Sequence, residues 1–193
     1  MDITAIPTAL ARDDRLDAGR SALAALAGAI PEAARPWLRG EWLGHPVHPA
    51  LTDLPIGFWT AASVLDVVGG RRAAPAATWM VGLGLAFVPP TVAAGLTDWD
   101  DLPAAKQRVG VVHVAANLAA TGLYGLSFAA RRRGQRGRGA LFALAGMGVA
   151  TVGGLLGGHL AFGSDADAVD LRTEEPQLWD AERREPIWVR AGA

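Results

Sequence analysis

The chain has 193 residues, of which 51% are hydrophobic and only 19% charged, and its mean hydropathy is +0.22; soluble domains usually carry about 25% charged residues. A net charge of -1 leaves no basic surplus to neutralise phosphates, which argues against a nucleic-acid partner. The absence of cysteine excludes disulfides, thiolate metal sites, iron–sulfur clusters and a cysteine nucleophile within this chain.

The first twenty residues, MDITAIPTALARDDRLDAGR, lack a basic stretch followed by an apolar one, so no cleavable signal peptide is expected. Residues 16–30 (LDAGRSALAALAGAI) are expected to form a short interfacial helix, ended by Pro31 and too short to span a bilayer. Residues 1–44 are accordingly read as an extramembrane or interfacial segment. Four long apolar stretches follow, at 49–69, 76–96, 109–130 and 139–163. Each is near or above the ~20 residues that cross ~30 Å of hydrocarbon at ~1.5 Å per residue. Ala, Leu and Gly outnumber β-branched residues, and the third and fourth stretches lack the charged face that a soluble bundle needs. The expected fold is all-α, an up-down four-helix transmembrane bundle over 45–163 with the lipid bilayer as its partner. A polar tail, 164–193, follows with Trp179 and Trp188 as isolated anchors.

The connections are short, which suits antiparallel neighbours. Arg71, Arg72 and the run from Arg131 to Arg138 fall on one side of the membrane; Asp98, Asp100 and Asp101 mark the other, opposed by Lys106 and Arg108. The positive-inside rule puts the arginine loops in the cytoplasm and both termini outside, with Arg35 and Arg39 counting the other way. Trp37, Trp42, Trp99 and Phe162 fall where an outer aromatic belt would sit. Asp66 is expected to pair with Arg71 or Arg72. Pro89 and Pro90 are expected to kink the second span. Gly146, Ala150, Gly154 and Gly158 give the fourth span small-xxx-small spacing, which serves close packing and would also serve a homo-oligomer.

Following the chain up and down brings its four histidines toward one face. His45 and His48 precede the first span, His113 lies one turn into the third, and His159 one turn before the end of the fourth; Asp53, one turn into the first, is at a similar level. Ionisable groups at such depths usually face a bundle interior or cavity. His45, His48, Asp53, His113 and His159 would suit a divalent transition metal, whereas two of His48, His113 and His159 on facing helices would suit haem b as axial ligands. His113, Asn117, Thr121 and Tyr124 share one helical face, with Asn117 and Tyr124 as supporting groups or as interhelical hydrogen-bonding residues. No catalytic motif is present: there is no GxSxG, Walker loop, HExxH or dinucleotide fingerprint. The alternative reading is a structural or assembly subunit whose histidines only join helices. A small transporter is a third.

Four stretches carry a resemblance: GHPVHPALTDLPIG at 44–57, GLTDWDD at 95–101, RVGVVHVAAN at 108–117 and GGHLAFG at 157–163. In these the chain resembles a bacterial family of multi-pass membrane proteins known as domain of unknown function 2231. The resemblance implies a bacterial inner-membrane protein without an assigned activity. Some relatives are joined to a Rieske domain, which implies electron transfer near the outer face with a Rieske-type or quinone partner. This chain departs from those relatives in having no cysteine and a short tail, and Asp53 stands where many of them have histidine.

Overall fold

The structure is a computed structural model that describes residues 5–163, 179–180 and 185–186. Three short helices, α1 (Ala5–Ala11), α2 (Asp17–Gly28) and α3 (Arg35–Arg39), precede four long ones, α4 (His48–Val68), α5 (Ala74–Asp100), α6 (Ala104–Arg132) and α7 (Arg136–Phe162). The long four are each extended and apolar enough to cross a membrane. Residues Ser164–Ala193 form a separate unit, whose described part is an antiparallel pairing of Trp179–Asp180 with Glu185–Pro186. Trp188 lies outside the described residues.

Neighbouring long helices run antiparallel. The start of α4 meets the end of α5 through His48 and Thr91, and Trp59 farther along α4 reaches back to Val81. In the same sense His113 of α6 meets Gly153 of α7, and Ser127 meets Gly139. Trp99 and Gln107 join α5 to α6, and Arg136 reaches the Asp66 carbonyl to join α7 to α4. Trp59, Ala62, Val81, Tyr124 and Ala143 form the central core. Large apolar side chains such as Val67, Leu141, Leu155 and Phe162 face outward instead. That distribution suits lipid, where small buried residues let backbones approach and large ones meet acyl chains.

Proline is accommodated within these helices. Pro55 lies buried inside α4 and has no N–H for the carbonyl of Leu51; the Thr91 hydroxyl of α5, which donates to the Phe87 carbonyl at 2.8 Å, is also within reach of that carbonyl at 3.3 Å. Pro89 and Pro90 are carried within α5, which continues unbroken to Asp100.

The short N-terminal helix is anchored to the bundle as well as amphipathic. Arg108, at the start of α6, donates to both carboxylate oxygens of Asp17 at 3.0 and 3.1 Å and to the Ala11 carbonyl at 3.1 Å. Arg35 pairs with Asp100 at 3.0 Å and Arg39 with Asp101 at 2.9 Å. Trp37 and Trp42 are exposed, as a belt requires, but Trp99 is buried against Gly110 with its indole N–H on the Gln107 carbonyl. Gly110, which leaves room for the ring, explains why Trp99 leaves the expected belt. The partner of Asp66 also differs from expectation. It is bound by Arg131 of α6, with 8% and 1% side-chain exposure respectively, because Arg71 and Arg72 are exposed in the loop beyond the helix end.

Candidate functional site

His48, the first residue of α4, and His113, nine residues into α6, are each held by a backbone carbonyl of the following helix. His48 Nδ1 lies 3.0 Å from the Thr91 carbonyl, and His113 Nδ1 lies 2.8 Å from the Gly153 carbonyl. A carbonyl only accepts, so Nδ1 carries a hydrogen at this contact, and Nε2 of the neutral ring keeps its lone pair. This second-atom anchoring is how metal-binding imidazoles are usually fixed in orientation.

Glycine makes the seats. A Cβ at Gly95 would fall 2.7 Å from the His48 ring, and one at Gly157 would fall 2.8 Å from the His113 ring. Asn117 sits one turn beyond His113. Its side-chain nitrogen donates to the His113 carbonyl at 2.9 Å and is 3.3 Å from each ring nitrogen. Being equidistant from the two, it lies beside the ring and not along either lone-pair axis. Asn117 in turn rests against Gly153. Thr52, the matching position one turn beyond His48, donates to the His48 carbonyl at 2.8 Å.

The depths follow from residue counting. Trp59 and Tyr124 stack on the bundle axis with centroids 3.9 Å apart and planes at 11°. His48 is eleven residues before Trp59, and His113 is eleven residues before Tyr124. At ~1.5 Å per residue both histidines are therefore about 16 Å from the stack on parallel helices. They share a layer.

The other candidates sit apart from that pair. His45 is exposed before α4, with its Nδ1 3.1 Å from the Pro46 carbonyl. Asp53 is exposed on α4. His159 is half-buried in the last turn of α7, its ring beside Gly163. Thr121 donates to the Asn117 carbonyl, and Tyr124 is buried in the central stack instead of beside the imidazoles. Among the described residues no three of His, Cys, Asp or Glu are grouped so as to hold a metal ion. Thr91, Gly95, Gly153 and Gly157 were not foreseen as site residues. Their signal in sequence was position alone, one helix further on and at the depth of each histidine.

Residues 44–169 match the model of a family described as predicted membrane protein, DUF2231. The chain belongs to this family. The DUF2231 match begins at Gly44 and so takes in all four long helices, both imidazoles and both glycine seats, while α1, α2 and α3 precede it. No curated protein and no solved structure matches the chain.

Proposed function

We propose that this DUF2231 protein is a membrane redox module that holds a haem or a transition metal through His48 and His113, near the extracytoplasmic face. The observation that carries the reading is the anchoring of both imidazoles through Nδ1, which leaves Nε2 of each as a donor atom. Neutral imidazole is a ligand for iron, copper and zinc. His45, Asp53 and His159 are not ligands in this reading, because no third such group joins the pair among the described residues.

The orientation belongs to the same proposal. Arg71, Arg72 and the 131–138 run face the cytoplasm of a bacterial inner membrane, and the termini and imidazoles lie toward the outside. Arg35 and Arg39, the arginines that count the other way, pair with Asp100 and Asp101. A Rieske-type protein or a membrane quinone would be the electron partner.

Absorption and metal analysis of the detergent-purified protein test the reading. A Soret band, or stoichiometric metal lost in His113→Ala, is the expected result; colourless, metal-free protein contradicts it. The second reading, a structural subunit, is favoured by the fact that each imidazole already ties one helix to the next. It predicts that His48→Ala and His113→Ala lower stability and change no bound group.

A further inference from the structure

The two imidazole seats are not merely alike; they are in register through the whole bundle. His48 and His113, Trp59 and Tyr124, and Asp66 and Arg131 are each 65 positions apart. The members of the last two pairs touch one another. On the following helices Gly84 and Gly146, Thr91 and Gly153, and Gly95 and Gly157 are each 62 positions apart. Each of these pairs does one job twice. Gly84 receives the Trp59 ring and Gly146 the Tyr124 ring; the Thr91 and Gly153 carbonyls take the imidazoles; Gly95 and Gly157 seat them.

Burial repeats with the same offsets. Every buried residue of α7 lies 62 positions after a buried residue of α5, as Ala143 does after Val81. Every buried residue of α4, Pro55, Trp59 and Ala62, has a buried counterpart 65 positions later in α6, namely Ala120, Tyr124 and Ser127. The loss of three positions between the first and second helix of the pair falls in the turn, between Val68 and Ala74 in one case and between Arg132 and Arg136 in the other.

We propose that α4–α5 and α6–α7 are two copies of one helical hairpin related by a two-fold axis along the bundle, and that this makes His48 and His113 an equivalent pair of imidazoles that would together hold one iron porphyrin. The inference rests on the redox reading above and narrows its ligand. Parallel repeats about an axis along the membrane normal are a recurrent way to build a membrane protein, and a group bound on such an axis meets one side chain from each copy. Under the repeat, His45 corresponds to Gly110, Asp53 to Leu118 and His159 to Thr97, so none of them has an imidazole or carboxylate counterpart. The symmetric donor set is therefore two nitrogens. A bare divalent transition metal is usually completed by further protein ligands; a porphyrin brings four nitrogens of its own and asks the protein for two.

The cysteine-free full chain in detergent, titrated with haemin, tests this together with nitrogen-15 NMR of labelled histidine. Wild type is expected to give a six-coordinate, low-spin Soret band. His48→Ala and His113→Ala should each abolish it, and His45→Gln with His159→Gln should leave it unchanged. Added imidazole should restore the band in His48→Gly and in His113→Gly, which separates a lost ligand from a lost fold. In NMR both rings should be Nδ1-protonated before haemin is added. Dependence on only one of the two histidines, or on His45 or His159, overturns the inference, as does wild type that binds stoichiometric metal but no haemin, an outcome that leaves the broader redox reading standing. Opposite tautomers in the two rings overturn the equivalence of the hairpins whatever binds.

Discussion

One methyl group is enough to probe how each imidazole is held. Gly157→Ala puts a Cβ 2.8 Å from the His113 ring, closer than side chains approach, whereas Gly158→Ala one residue on meets nothing within 4 Å. Gly157→Ala is expected to displace His113 from the Gly153 carbonyl and to cost about 1–3 kcal/mol as overpacking, while Gly158→Ala is expected to be neutral; thermal melts of both variants in detergent check the contrast. Asp66 and Arg131 make the complementary case. Arg131→Ala leaves the Asp66 carboxylate, 8% exposed, with only Arg136 at 3.8 Å, and breaking such a pair from one side costs about 3 kcal/mol, the lower end of the usual range. The double change Asp66→Leu with Arg131→Leu is expected to recover much of that loss, and denaturation of the three proteins side by side measures it.

At the scale of elements, attachment of α2 to α6 depends on pH. Hydrogen bonds from Arg108, and then from Arg20, lower the Asp17 carboxyl to about 2 from its ordinary 3.8. A carboxylate depressed by folding stabilises the folded state at pH values above its unfolded pKa and ceases to do so as pH falls through its folded one. Docking of α2 is therefore expected to be complete above about pH 4 and to weaken between about 4 and about 2. Hydrogen exchange of α2 amides reads this, and Asp17→Asn should remove its pH dependence while α2 stays held by Arg20 to Gln107 and Arg35 to the Ala27 carbonyl. These elements also show what the sequence could disclose. The spans were legible because lipid imposes length and apolarity, and the histidines because polar groups at those depths stand out. The charge pairs were not, since Arg131 and Asp66 lie 65 positions apart and only the bundle brings them together. Thr91 was equally hidden. Its hydroxyl reaches the carbonyl freed by Pro55 at 3.3 Å and its own carbonyl takes His48, two contacts between helices that no local pattern announces.

At the scale of the whole molecule, the bundle is organised around its axis. The Trp59–Tyr124 stack occupies the middle, the Asp66–Arg131 pair one end, and the imidazoles the other. His48 and Asp66 are eighteen residues apart on α4, or about 27 Å at ~1.5 Å per residue, close to the ~30 Å thickness of hydrocarbon. Polar features thus mark both ends of a span-length core, and the shared level of the imidazoles depends on every crossing being made. Single cysteines placed by Gly44→Cys, Arg72→Cys, Asp101→Cys and Gly134→Cys in the cysteine-free chain test this directly with a membrane-impermeant thiol reagent. Positions 44 and 101 are expected to label from outside the cell, and positions 72 and 134 only after the membrane is opened. Labelling of 101 and 134 from the same side would contradict the account, because His113 and Arg131 could not then stand at opposite ends of a crossing.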